Sequence, residues 1–277
     1  MLNRQEIIQN IKDIPPLKDV ILESLQLMDN PDCDITKVEK VITRDLALTT
    51  RILSVANSPF YLTSGKVSSI KDAFMRVGLG TTRNIVMTAG VLARFPSSGG
   101  AHLNHLSLWE HNLGVGIAAQ KIAEVIGADG QTAFTAGLLH DIGKFVLDLN
   151  FPKYYEKVVA FQKENNCTIR NAELHIIGVD HAMAGSELAR RWNISEDLAT
   201  VIQYHHIADE SNDLMTHIVY VADCVAKIAD IGFGGDKIVA PIMPSSLTLL
   251  GISEEAIRGL VPEICSTVDA ARVLIST

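Results

Sequence analysis

The densest chemical signal in the chain is Leu138-Leu139-His140-Asp141-Ile142-Gly143-Lys144. Neighbours in a helix diverge by about 100°. His140 and Asp141 therefore face one point only where the helix ends or unwinds, a break that Gly143 is expected to supply. An imidazole and a carboxylate meeting there form a ligand pair for a borderline or hard cation. Lys144, one turn on, is placed to attract an anion beside the metal. Taken alone, the pair also suits a plain capped helix end with a surface histidine.

Other residues join it. Asp223 shares a helical face with Val219 and Ala226, so it is expected to be buried, and a buried carboxylate needs a cation or donors. A salt bridge to an arginine or a proton shared with a histidine would serve as well as a metal. His111 precedes Val115 and Ala118 on a core-facing stripe, a place that also suits a satisfied core histidine. His111, His140, Asp141 and Asp223 make a two-histidine, two-carboxylate set fit for one divalent cation. Iron, manganese, nickel, zinc and magnesium are not distinguished by it. His181, His205 and His206 are placed to bring a second ion beside the first, an arrangement that clamps a phosphate. They equally suit helix termini, where imidazoles pair with the last carbonyls. The other four of the nine histidines, His102, His105, His175 and His217, fit no constellation and read as surface or loop residues.

The elements that must position these residues are helical nearly throughout, so the fold class is all-α. Ile14-Pro15-Pro16-Leu17 opens one helix and Asn30-Pro31-Asp32 stops it. Thr36 and Glu39 fit a capping box. Asn57-Ser58-Pro59 and Ser64-Gly65 are breakers. A short helix ends at Gly78 and Gly80, and another runs from Thr81 to Phe95. Further helices are predicted near 107–126, 131–140, 151–165, 181–192, 195–206 and 213–230, with 231–246 as loop. Ser253-Glu254-Glu255 caps a helix and Val268–Ile275 forms a last one. Only the segment around Cys167-Thr168-Ile169 reads as extended. Pro96-Ser97-Ser98-Gly99-Gly100 is the most linker-like stretch, which divides the chain into 1–96, 101–235 and a completing 236–277.

Composition narrows the function. A net charge of −8 with no basic run argues against sequence-independent nucleic-acid binding. With 47% apolar and 20% charged residues, the chain is too apolar for a disordered regulator. The four dispersed cysteines fit a reducing compartment. The start of the chain, Met1–Glu6, lacks the apolar run of a signal peptide, and no apolar run reaches the ~18 residues of a membrane span. A cytoplasmic location is the expectation.

The ordered set His111, His140-Asp141, Asp223 resembles the HD superfamily of metal-dependent phosphohydrolases. His181 with His205-His206 is similar to the HD-GYP branch, which hydrolyses cyclic di-GMP, but Ile207-Ala208-Asp209-Glu210 stands where the Gly-Tyr-Pro signature would follow. Ile14-Pro15-Pro16-Leu17, Ile42–Thr49, Arg51–Ser58, Ser69–Ala73 and Val77-Gly78-Leu79 occur in the order of the HDOD family. The resemblance covers roughly residues 10–230. It implies a bacterial, multi-helical protein in which an N-terminal helical subdomain packs on an HD-type core. Family members serve signalling and are often fused to receiver or GGDEF/EAL domains, and many have lost the metal ligands. This sequence keeps them, and it is expected to stand alone, without such a fused domain. Arg44-Asp45, among apolar positions, reads as an internal ion pair, and Asn57 as a cap or turn residue.

Two functions follow. The favoured one is a signalling module that binds a partner protein or small nucleotide through a metal-competent site. The alternative is a phosphohydrolase in which a metal-activated water attacks a phosphoester, with Asp141 and Lys144 in catalytic roles and Lys144 holding a phosphate oxygen.

Overall fold

A computed structural model describes residues 7–9, 11, 14–58 and 65–275. The Met1–Glu6 segment, Pro59 and Ser64 of the predicted breakers lie outside the described residues. Among the described residues the secondary structure is all helical, with no strand. No helix is long and apolar enough to cross a membrane. The chain forms two compact units, one of residues 1–16 and 97–266, the other of residues 17–96 and 267–277.

The smaller unit holds α1 (Asp19–Met28), α2 (Ile35–Ile42), α3 (Leu46–Ala56) and α4 (Ile70–Leu92). Gly78, at φ +83°, interrupts α4 and separates the two helices expected there. The cap of α2 is Asp34, which accepts from the Thr36 N–H, rather than the expected Thr36. Arg44 and Asp45 are not an internal pair. Arg44 binds Glu23, while Asp45 caps α3 through the Leu48 N–H and takes Lys18 at 2.9 Å. Adjacent residues at a helix start point apart, so each finds its own partner. Asn57 is the turn residue it resembles. Its amide donates to the Leu53 and Val67 carbonyls, and its oxygen accepts from the Val67 N–H.

The larger unit is built on α5 (His105–Ile126), whose buried residues number 14 of 22. A helix apolar on nearly all sides belongs at the centre of a core. It packs against α6 (Gly130–Leu139) and α12 (Leu214–Ile228). Gly127 (φ +76°) ends α5, and Asp129 caps α6 by accepting from the Gln131 and Thr132 N–H groups. Gly137 makes the α5–α6 crossing close, since a Cβ there would lie 2.8 Å from the Gly116 backbone. Around this centre stand α7 (Ile142–Asn150), α8 (Pro152–Asn165), α9 (Ile169–Ile176), α10 (His181–Arg191), α11 (Glu196–Tyr204) and α13 (Pro244–Leu250).

Several expectations change here. The segment at 167–169 is no strand: Thr168 is extended, but it caps α9, accepting from the Asn171 N–H, and Ile169 begins that helix. The loop expected to reach 246 ends earlier, where Pro244 starts α13 in the position that tolerates proline best. One helix, α14 (Glu254–Ala271), replaces the two expected, with Pro262 inside it and a 3₁₀ turn at Arg272–Leu274.

His105 and His217 are buried rather than surface residues. His217 Nδ1 pairs with Ser246 Oγ at 2.8 Å. His105 pairs with Asp148, which also accepts from the N–H groups of Ala101, His102 and Leu103. Burial alone would raise the Asp148 carboxyl, but His105 and these donors outweigh it and hold it below its ordinary range. Asp148→Ala strands these donors and is expected to cost about 2–4 kcal/mol at neutral pH. A lowered folded-state pKa stabilises above the unfolded value and is lost as pH falls through the folded one. The stability gap between wild type and variant in denaturant titrations is therefore expected to narrow as pH falls below about 4, and a gap that stays constant there contradicts the role.

Candidate metal centre

His140 and Asp141 lie at the junction of α6 and α7. The helix stops at Leu139, His140 caps it, and Asp141 (φ −100°, ψ 13°) turns the chain into α7. The break is at this pair and not at Gly143, which sits inside α7. A Cβ on Gly143 would lie 1.9 Å from the His181 carbonyl oxygen and 2.6 Å from the Gly185 nitrogen. Gly143 thus lets α7 and α10 cross backbone to backbone, which brings His181 to Asp141.

All seven residues read as metal ligands meet in one place. They form two groups, His111, His140 and Asp223 in one, Asp141, His181, His205 and His206 in the other. Asp141 faces both. Its Oδ2 is 3.3 Å from His140 Nε2 and 3.8 Å from His111 Nε2, and its Oδ1 is 3.1 Å from His181 Nε2 and 3.7 Å from His205 Nε2. Asp223 Oδ1 lies 3.1 Å from His111 Nε2 and 4.0 Å from His140 Nε2. These are close approaches without hydrogen-bond alignment. Nε2 of His111, His140 and His205 and Oδ1 of Asp141 and Asp223 are buried without a partner.

Five unpartnered buried atoms at one point carry a heavy desolvation cost. Spacings of 3.1–4.0 Å are those of neighbouring ligands on an ion bound at roughly 2.0–2.2 Å. The donor set fits a divalent cation on both counts.

The local fold fixes which nitrogen is offered. His140 and His205 each follow the last residue of a helix, where carbonyls lack intrahelical partners. Nδ1 of His140 donates to the Gly137 carbonyl at 2.6 Å, and Nδ1 of His205 to that of Ile202 at 2.7 Å. A carbonyl only accepts, so Nδ1 carries the proton and Nε2 of the neutral ring keeps its lone pair toward the cluster. The helix-terminal and cluster-facing readings of His205 are both true, one for each ring nitrogen. His181 Nδ1 pairs with Glu173 at 2.6 Å, and its Nε2 lies 2.7 Å from His206 Nε2.

Burial, and then neighbouring imidazoles, push His205 and His206 well below the usual histidine range. Burial likewise lowers His111 against the pull of Asp223. Burial opposes ionisation of Asp141 and Asp223. His140 and Lys144 outweigh it at Asp141, and Lys227 and His111 at Asp223, holding both carboxyls well below their ordinary values. His181, with burial overcome by Glu173 and Asp141, is pushed up to about 9. For His111, His205, His206 and the two carboxylates this is the protonation that metal binding requires, whereas His181 gives up a proton on binding.

Lys144 is fully buried and its ammonium binds Asp141. Lys227 binds Asp223 at 2.8 Å. A cavity of about 250 Å³ opens at the cluster, lined by Lys144, Lys227, Arg170, His206 and Asp223.

Sequence reasoning missed the supports. Glu173, buried, takes the N–H and Nδ1 of His181 and the Tyr155 hydroxyl. It sits on a stripe with Ile169, Ala172 and Ile177, an acid on an apolar face, the same signal that marked Asp223. The glycine-rich loop read as a plain connection lies against His111. The Phe233 N–H donates to the Ser107 carbonyl, Asp236 accepts from the Ile169 N–H, and a Cβ on Gly234 would lie 3.0 Å from His111 Nε2.

The chain matches the HDOD domain family over residues 14–208. An HDOD domain protein of unknown function from Geobacter sulfurreducens is similar at 27% identity and a TM-score of 0.86, over 99% of this chain and 100% of that one. A proposed phosphohydrolase from Shewanella amazonensis (24% identity, TM-score 0.77, 97% and 96% covered) shares the fold. So does a proposed signal transduction protein from Marinobacter aquaeolei (19%, TM-score 0.82, 100% and 62% covered). The chain spans well under half the length of the curated relatives it matches.

Proposed function

The chain belongs to the HDOD domain family, and on that premise we propose that it is a signalling protein that holds two divalent cations and hydrolyses a small phosphoester. The five unpartnered buried atoms around Asp141 carry this reading. His111, His140 and Asp223 would hold one ion and His181, His205 and His206 the other, with one oxygen of Asp141 turned to each. Bound there, a divalent cation polarises a phosphoryl oxygen and acidifies water.

The chain's own residues supply the rest. Lys144, Lys227 and Arg170 line the cavity and give a phosphate counter-charge and donors. Glu173 and the Gly137 and Ile202 carbonyls orient the rings, as partners of ligand histidines do. A cavity of about 250 Å³ is on the order of eight water volumes, room for a phosphoryl group with a small ester rather than a polymer.

The experiment is elemental analysis of protein reconstituted with iron or manganese, followed by turnover on nucleotides, cyclic dinucleotides and p-nitrophenyl esters. About two equivalents of metal and metal-dependent turnover are expected; absence of metal sinks the reading. A second reading, phosphoester binding without turnover, is favoured by the pairing of Lys144 with Asp141 and of Lys227 with Asp223, which spends both ammonium groups on the cluster. Bound metal and bound nucleotide with a silent panel select it.

A further inference from the structure

The smaller unit carries a second cavity, far from any ligand of the metal centre in sequence. It measures about 320 Å³ and lies among α1, α3 and α4. Its apolar walls include Ile21, Leu48, Ala89 and Leu92, and three ionisable residues line it: Lys18, Asp45 and Arg51. Three of these positions, Asp45, Leu48 and Arg51, come from the Arg44–Arg51 stretch that the metal chemistry does not use.

The charges are unequal. Lys18 and Asp45 pair at 2.9 Å, and Asp45 also caps α3, which accounts for both. Arg51 remains. One of its terminal nitrogens donates to the Leu274 carbonyl, while its Nε is buried without a hydrogen-bond partner. Burial makes the guanidinium costly to charge, and among the described residues no carboxylate offsets it. Among the described residues the lining thus holds one net positive charge, that of the Arg51 guanidinium, and an apolar wall.

We propose that this cavity is a binding site for a small monocarboxylate with an apolar body. One net charge matches a monoanion better than a phosphate dianion. A carboxylate accepts from guanidinium N–H groups in a charge-assisted pair, and the apolar walls take the body. The volume, about ten water volumes, fits a ligand of about ten non-hydrogen atoms, the size of octanoate or phenylacetate.

Calorimetric titration of the full chain with octanoate and phenylacetate tests this, with 1-octanol as the uncharged control. One equivalent of each acid is expected to bind. Octanol binding to wild type, and octanoate binding to Arg51→Met, are expected to be ten- to a hundredfold weaker, on the order of a hydrogen bond to a charged group. Ala89→Leu fills the cavity while leaving Arg51 in place and is expected to weaken both acids at least about tenfold. That variant decides the matter if Arg51→Met does not fold. Octanol bound as tightly as octanoate, undiminished binding by a folded Arg51→Met or by Ala89→Leu, or no binding of either acid at millimolar concentration, each overturns the proposal.

Discussion

Replacing Asp141 with alanine is expected to strip metal from both halves of the centre and abolish phosphoester turnover. Among the described residues of the cluster, Asp141 has one oxygen toward each ligand group. Loss of any one histidine removes a ligand from a single group, whereas loss of Asp141 removes one from both. Metal content measured after desalting is therefore expected to fall to about a tenth or less of wild type, since even an outlying partner of a ligand is worth 10–100-fold in affinity. His206→Ala is expected to leave the His111, His140 and Asp223 group loaded. The obvious complication is stability. Lys144 and Asp141 are both buried, and removing one partner of a buried pair costs about 3–5 kcal/mol by stranding the other charge. The double variant Asp141→Ala with Lys144→Met removes both charges together. It is expected to regain most of the lost thermal stability while still failing to bind metal. A double variant that folds and keeps two equivalents of metal would falsify the shared role of Asp141.

How much of this was legible in the sequence follows from what periodicity encodes. A helical repeat reveals which face a residue occupies, so Asp223 beside Val219 and Ala226, and His111 before Val115, were readable as inward-facing. The adjacency of His140 and Asp141 implied a helix junction. Periodicity does not reveal which inward-facing residues meet, so the division into two groups on either side of Asp141 lay beyond it. It also does not separate a glycine that breaks a helix from one that admits a neighbouring backbone, hence the misreading of Gly143. Glu173 is an acid on an apolar stripe as Asp223 is, but the pattern does not show that its partner is His181, eight residues on, and Asp148 meets His105 only through the fold. Arg44 and Asp45 misled for a related reason: opposite charges at neighbouring positions suggest a pair, yet the helix start sends them to Glu23 and Lys18. The HDOD motifs, by contrast, depend on order along the chain alone, and the family match over residues 14–208 agrees with them.

Gly143→Ala is expected to show how the metal centre depends on a helix crossing that contains no ligand atom. The added Cβ would meet the His181 carbonyl oxygen at 1.9 Å and the Gly185 nitrogen at 2.6 Å. Both are backbone atoms, so no side-chain rotation relieves the overlap, and α10 must move away from α7. Gly185 is no reserve of space, because its own Cβ would lie 3.0 Å from the Gly143 nitrogen and 2.9 Å from Ile202. Overpacking of this kind costs about 3 kcal/mol or more, which in a unit of this size corresponds to a fall of about 6–12 °C in Tm. The displacement acts on one side of the centre. His181 rides at the first residue of α10, and Asp141 immediately precedes α7, so their 3.1 Å approach opens. His111, His140 and Asp223 stand on α5, at the end of α6 and on α12, which the crossing does not touch. Elemental analysis of the folded variant is therefore expected to give about one equivalent of metal in place of two, retained by the His111 group. Wild-type Tm together with full metal content would show that α10 yields without cost. Loss of both ions from a protein that still melts cooperatively would show that the two groups are not separable.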